Sequence, residues 1–169
     1  RLAQTRSIEM PSMPGARLLL SLILSTGLCT GAMAEPIPVR NMEGVVHGFL
    51  VLRSLEGKVL AEGDLVQVPR RGRIDSRLTF RFRDGSIHDE RVTFSQDRVF
   101  LLESYHLVQE GPSFPKPFEA TLERAKNRYE VRHTEADGDE KVLQGKLELP
   151  ADLYNGMFFT LLKNIEADS

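Results

Sequence analysis

From residue 43 onward, apolar side chains recur mainly at every second position, and this period constrains the fold more than any other feature of the chain. The clearest case is the segment 74–83, where Leu78, Phe80 and Phe82 alternate with arginine and threonine. Such alternation is typical of a strand with one face on a core and the other in water. Because no helical pattern separates the candidate strands, we expect neighbouring strands to pair antiparallel.

Turn signals divide this region into short segments. We predict eight strands, at 44–53, 58–68, 74–83, 87–95, 99–109, 118–122, 128–134 and 142–149. The segment 99–109 carries apolar residues on both faces, so we expect it in the interior of the sheet. The segment 111–117 contains three prolines, each lacking an N–H group, and is therefore predicted to be irregular.

The pair Asp84-Gly85 is the strongest hairpin signal, because glycine tolerates positive φ and aspartate bonds its own backbone. A three-residue loop there is expected to pair Leu78 with Val92 and Arg81 with Asp89. A two-residue loop would instead pair Phe80 with Asp89. We favour the three-residue loop, and the choice matters because a slip of one residue exchanges the two faces of a strand.

After residue 149 the apolar period changes from two to about four. The residues that carry it are Leu153, Met157, Leu161 and Ile165. This spacing predicts an amphipathic helix over 150–166. Within it Gly156 costs roughly 1 kcal/mol relative to alanine, which indicates a close contact at that position. The predicted fold is mainly β: a curved antiparallel meander of about eight strands, a half-barrel or open barrel, with one C-terminal helix packed on the sheet.

The segment 17–34 has the three parts of a secretory signal peptide: a positive residue, a short apolar run and a small-x-small end at Ala32 and Ala34. A transmembrane anchor is disfavoured, because Gly27 and Gly31 interrupt a run already shorter than the roughly 20 residues that a span needs. We therefore predict cleavage before Glu35 and a periplasmic or secreted protein with no transmembrane helix after signal removal.

The predicted cleavage defines the organisation of the chain. Residues 1–34 are upstream residues plus the signal peptide, with Met10 and Met13 both candidate starts; 35–42 is an extended lead; and 43–169 is a single β domain. Lipidation at Cys29 is the alternative, but Leu28 is bulkier than the residue a lipoprotein signal places there. Cleavage before Glu35 takes the formal net charge from −2 to −4, which disfavours nucleic acid as a partner.

The most distinctive stretches are GVVHGFLVLRSLEGKVLAEGDLVQ (44–67), SRLTFRFRDGSIHDERVTFSQ (76–96), HLVQEGPSFPKP (106–117) and LPADLYNGMFFTLLKNI (149–165). Together they resemble an uncharacterised family of exported (periplasmic or secreted) bacterial β-rich proteins of unknown function, over nearly all of residues 40–166. The resemblance implies an envelope or secreted protein and supplies no catalytic or binding residues. Members of the family look longer, with further strands after the helix, so we expect the chain to be truncated at its C-terminus.

Motifs for catalysis, metals and cofactors are not found. The four histidines lie on different predicted strands without metal-ligand spacing, and no nucleophile elbow or glycine-rich phosphate loop is present. We therefore predict a non-catalytic protein with no metal and no cofactor. The densest titratable spot is His88 and Glu90, which share a strand face with Val92 and Phe94. These two side chains either lie on an apolar wall, where they need partners or a ligand, or stand in water at a hairpin end.

Two binding hypotheses follow, and each has a plainer alternative. The first is a hydrophobic or amphipathic small molecule or lipid held between sheet and helix, unless these side chains are simply core. Its residues are Phe80, Phe82, Phe100, Leu102, Met157, Phe158 and Leu161.

The second hypothesis is a structural or protein-interaction module of the cell envelope that uses an open sheet edge or a basic stripe. The stripe consists of Arg70, Arg71, Arg73, Arg77, Arg81 and Arg83. Of these, Arg71, Arg73 and Arg77 are predicted to bind an envelope protein. Their alternative role is pairing with Glu62, Asp64 and Asp89 on neighbouring strands.

Overall fold

The computed structural model of the chain describes residues 35–135 and 138–165. The predicted signal peptide and its cleavage site, together with Cys29, lie outside or at the border of these residues. No helix in the part that the structure describes is both long and apolar enough to cross a membrane.

The described residues form one antiparallel sheet of eight strands that follow each other in chain order. The strands are β1 (Val46–Arg53), β2 (Val59–Arg70), β3 (Arg73–Phe82), β4 (Ile87–Gln96), β5 (Phe100–Glu110), β6 (Phe118–Glu123), β7 (Arg128–Thr134) and β8 (Glu140–Lys146). The sheet is an open, half-barrel-like meander, with β1 and β8 at its two edges. This confirms the predicted fold class.

The hairpin between β3 and β4 has a three-residue loop, but the loop is Arg83–Gly85 and both expected registers are wrong. The Phe82 N–H donates to the Ser86 carbonyl at 2.9 Å, and Phe80 pairs with His88. Gly85 takes the third loop position with φ 89°, the left-handed conformation that this loop type requires. The favoured register is displaced by two residues, so every side chain keeps its expected face.

A bulge in β5 brings most of the aromatic core to one face. Phe94 pairs with Leu102 and Thr93 pairs with Ser104, so Glu103 is an extra residue with no cross-strand partner on β4. The alternation of β5 changes phase at this residue, and Leu102 and Tyr105 therefore point to the same side of the sheet.

We call this side the core face. Its buried apolar cluster consists of Ile74, Val92, Phe94, Phe100, Leu102, Tyr105 and Met157. Phe94 and Phe100 meet edge to face, with ring centroids 6.1 Å apart. Among the described residues, every buried side-chain nitrogen or oxygen has a hydrogen-bond partner.

Residues 149–165, which we call the strap, cross the core face from β6 towards β2. The Arg124 guanidinium donates to the carbonyls of Leu149 and Pro150 at the start of the strap. Gly156 lies against Val92 on β4. Near the far end, the Gln67 amide on β2 contacts the Thr160 hydroxyl at 3.5 Å.

The strap is helical over only five residues, α1 (Phe158–Leu162), so the prediction of a helix over 150–166 is wrong for most of its length. The reason is Gly156, which has φ +71° and therefore cannot continue a right-handed helix. A Cβ at this position would lie 2.4 Å from Val92 Cγ2. The close contact expected at Gly156 is thus confirmed, although it shortens the helix instead of sitting inside it.

The lead before β1 is fastened to the end of the strap. The Asn164 side-chain oxygen accepts hydrogen bonds from the N–H groups of Arg40 and Asn41 at 2.9 and 2.7 Å. Lys163 Nζ lies 2.8 Å from the carboxylate of Glu43, whose side chain is buried. The lead and the strap therefore cover the core face as a joined pair.

Replacing Gly156 by alanine tests the packing of the strap. We expect Gly156→Ala to lower the free energy of unfolding by about 2–4 kcal/mol, because left-handed strain adds to a clash with Val92. Gly57 is the matched control: its φ is +83° and nothing lies within 4 Å of a Cβ there. Gly57→Ala should cost only the strain, about 1–2 kcal/mol, in urea titrations. Equal losses in both variants would contradict the close contact.

Candidate functional site

The strap covers only part of the core face. Along β4, Gln96 contacts the lead through Glu43, Val92 and Glu90 lie against Gly156 of the strap, and His88 follows beyond it. The region beyond the strap, which we call the open half, consists of two rows of paired residues across β3 to β8. One row is Leu78, Glu90, Leu107, Ala120, Val131 and Leu143; the other is Phe80, His88, Gln109, Phe118, His133 and Lys141.

The floor of the open half is apolar and only partly accessible to solvent. Leu78, Leu107, Phe118 and Val131 are half-buried, and Ala120 between them is buried. Apolar side chains from the adjacent strands β5, β6 and β7 thus lie side by side, and Leu78 of β3 lies across Glu90 from them. Contiguous apolar surface of this kind is where a protein most readily takes a ligand or partner.

Polar groups stand on this apolar surface in two linked pairs. His88 Nδ1 lies 3.0 Å from the side-chain nitrogen of Gln109, and the Tyr105 hydroxyl donates to Glu90 Oε1 at 2.9 Å. Burial, reinforced by the negative charge of Glu90, raises the pKa of Tyr105 well above its ordinary value, so the phenol remains a donor. Both His88 and Glu90 are half-buried on the core face, as their functional interpretation requires.

The structure separates the seven side chains predicted to line a ligand site. Phe100, Leu102 and Met157 are in the buried cluster, where they pack against one another. Leu161 packs against the edge of that cluster. Phe158 is 64% exposed on the far side of α1.

The other two predicted residues are near the open half. Phe80 lies in the row of His88, and Phe82 packs edge to face on Phe114 of the irregular segment, with centroids 5.3 Å apart. Sequence reasoning missed Phe118 and Val131. Their alternation was visible, but placing them opposite Gln109 and Ala120 needs the register of every intervening hairpin.

The basic stripe lies on the face opposite the core face, and most of its charge is paired. Arg73 Nε lies 2.8 Å from Glu103, and Arg77 Nε lies 2.9 Å from Asp89. Arg71 occupies the β2–β3 turn with φ 50°. Pairing with acids on neighbouring strands is therefore confirmed for Asp89, and also for Asp64, which Arg81 contacts at 3.0 Å.

Asp89 is the centre of the strongest charge cluster on this opposite face. Its buried carboxylate accepts two hydrogen bonds from Arg77 and one from Arg91, at 2.9–3.0 Å. Burial acts to raise the pKa of Asp89, but the hydrogen bonds from Arg77 and Arg91 outweigh it, so this pKa lies below its ordinary value. The cluster fastens β3 to β4 on the side away from the core.

The four histidines lie on four strands. His106 contacts Glu119 at 2.9 Å and His47 contacts Asp64 at 3.6 Å, both on the opposite face, whereas His88 and His133 are on the core face. Within residues 35–135 and 138–165, no group of three or more histidine, cysteine, aspartate or glutamate side chains could hold a metal ion. In chemical terms, the open half offers apolar contact, one carboxylate and hydrogen-bonding groups.

Comparisons with protein families, with curated proteins and with solved structures find no match to this chain. Inference of function therefore rests on the geometry of the described residues.

The Asp89 cluster gives a prediction of pH dependence. Because its pKa is lowered in the folded protein, Asp89 contributes stability that is present above its unfolded pKa of about 4 and is lost as the pH falls through the folded value. We expect Asp89→Asn to cost about 2 kcal/mol at pH 7 and progressively less below about pH 4. Denaturant titrations of both proteins across that range measure the difference.

Asp64→Asn is the control, since the Asp64–Arg81 pair is more exposed and should contribute less than about 1 kcal/mol. A cost for Asp89→Asn that stays constant with pH would be inconsistent with the assigned role of its charge.

Proposed function

We propose that this chain is a non-catalytic, exported bacterial envelope protein that binds a hydrophobic or amphipathic ligand on the open half of the core face. The observation that carries the proposal is the apolar surface beside the strap, which holds polar side chains at fixed positions. Export to the periplasm or secretion, after cleavage before Glu35, is supported by the signal-like composition of 17–34.

The open half lies beside the strap, whereas the sequence predicted a ligand site between the sheet and the helix. Beneath the strap, Met157 packs with Phe94 and Phe100, so a ligand there would have to displace buried side chains. Beyond the strap no such displacement is needed. The surface from β3 to β7 spans four strand spacings, or roughly 19 Å, which allows an alkyl chain to lie across several strands.

The energetic basis is removal of apolar surface from water on both partners. Each methylene that the ligand buries contributes about 0.8 kcal/mol before the costs of association are subtracted. The polar pairs Tyr105–Glu90 and His88–Gln109 lie beside this surface and can orient a polar head. An amphipathic ligand therefore fits the arrangement better than a purely polar one.

Val131→Thr tests the site with little change of shape. The hydroxyl replaces a methyl group on the apolar floor, so we expect dodecyl maltoside below its micelle concentration to bind about five- to tenfold more weakly, an energy of about 1 kcal/mol. Isothermal titration calorimetry measures the affinity. Val66→Thr, on the opposite face of β2, is the matched control and should leave it unchanged. Equal weakening in both variants, or no binding by the unmodified protein, would refute the site.

A second candidate function is binding of an extended segment of an envelope protein at the edge strand β1. In the part that the structure describes, β1 pairs only with β2, so its other edge presents unpaired N–H and C=O groups. Phe49 and Val51 on this strand are 80% and 52% exposed. At the other edge, β8 carries Glu140 and Lys141, charges that discourage strand addition.

The edge hypothesis predicts that an alternating valine–threonine peptide protects the amides of β1 and not those of β8 from hydrogen exchange. Phe49→Lys with Val51→Lys should abolish this protection, because charges on an edge strand oppose strand addition. Val142→Lys with Gln144→Lys, on β8, is the matched control and should leave it intact. Equal protection of both edges, or protection of β1 that survives the first pair of changes, would exclude the hypothesis.

A further inference from the structure

We propose that Glu90 makes the open half selective for amphiphiles with a cationic head group, such as an alkylammonium, over anionic ones such as fatty acids. This inference rests on the proposed function, since it names the ligand class of the same surface. The geometry points to it because Glu90 is a carboxylate on an apolar wall whose protein partner is neutral.

The surroundings of Glu90 are mostly apolar. Its cross-strand neighbours on the core face are Leu78 and Leu107, and the flanking residues on the same face of β4 are His88 and Val92. A carboxylate in such surroundings gains little from its neighbours compared with its hydration in water. A ligand cation close to this carboxylate would therefore supply the electrostatic stabilisation that the neighbouring side chains do not provide.

Three other buried or half-buried carboxylates are paired with cations. Asp89 contacts Arg77, Glu43 contacts Lys163 and Glu103 contacts Arg73, each at 2.8–2.9 Å. Glu90 differs from these, because its contact is with the Tyr105 phenol and no ion pair joins it to any residue in the described ranges. Its negative charge is thus left for a ligand to neutralise.

The strap backbone passes close to the Glu90 carboxylate on one side. Oε1 accepts a hydrogen bond from the Tyr105 hydroxyl, and a Cβ on Gly156 would lie 3.0 Å from Cδ and 3.2 Å from Oε2. Away from the strap, the cross-strand neighbours of Glu90 are Leu78 and Leu107. The carboxylate thus borders the apolar floor where the head of a ligand would lie if its tail extended along the row of Leu107.

Basic side chains on this part of the core face are distant. The row of Glu90 contains no lysine or arginine, and the adjacent row ends in Lys141 on β8. Four strand spacings separate β4 from β8, or roughly 19 Å, which exceeds the screening length in physiological salt. An anionic head group would therefore meet a like charge without a compensating cation.

The test compares three ligands with the same dodecyl tail: dodecyltrimethylammonium, dodecyl maltoside and laurate, each below its micelle concentration. Calorimetry on the whole chain at pH 7.5 and low salt should give affinities in that order, with about a tenfold step on each side of the neutral ligand. In Glu90→Gln the carbonyl oxygen can still accept from Tyr105, but the charge is gone. We expect the three affinities to converge to within about threefold, because the charge that distinguishes the head groups has been removed.

Glu119→Gln is the matched control, because it removes a carboxylate from the opposite face, where Glu119 contacts His106. The order of affinities should persist in this variant. If dodecyl maltoside does not bind the unmodified protein, the proposed function itself fails. If it binds but the cationic ligand is no better, or the preference survives Glu90→Gln, the selectivity inference fails and the binding function stands.

Discussion

The packing of Met157 into the buried cluster that contains Phe94 and Phe100 is the contact on which the rest of the structure depends. An open sheet of eight strands has one apolar face that must be covered, and within residues 35–135 and 138–165 no second sheet covers it. The strap and the lead supply that cover, and their bonds to each other through Asn164 hold both in place. Because the cover is narrow, the same contact that completes the core also leaves part of the face open.

The strands could be predicted from the sequence because their period of two is a local property. All eight occur within a few residues of their expected bounds. The register of the β3–β4 hairpin could not be obtained in the same way, since it depends on which residue takes the left-handed position, and Gly85 does so at the end of the loop. The length of the helix was overestimated because apolar spacing does not reveal that Gly156 adopts a left-handed conformation where it packs against Val92.

Prediction of the candidate site was partial for a related reason. The shared face of His88 and Glu90 follows from alternation along one strand, and it was predicted correctly. The apolar surface around them joins residues from four strands, such as Leu107 and Val131, and it emerges only when every hairpin register is known. Phe100 and Leu102 are apolar, as residues that line a ligand site often are, but both are fully buried and belong to the core.

The extra residue Glu103 in β5 determines which side chains of that strand share the core face. Its presence lets Leu102 and Tyr105 face the same way, so the hydrophobic interior and the phenol bonded to Glu90 occupy one surface. Loss of this single residue would turn the rest of β5 over, exposing Leu107 and removing the phenol from Glu90, with the composition of the strand almost unaltered. A one-residue deletion at this position would therefore alter the core face and the proposed binding surface together, which a substitution at one position cannot do.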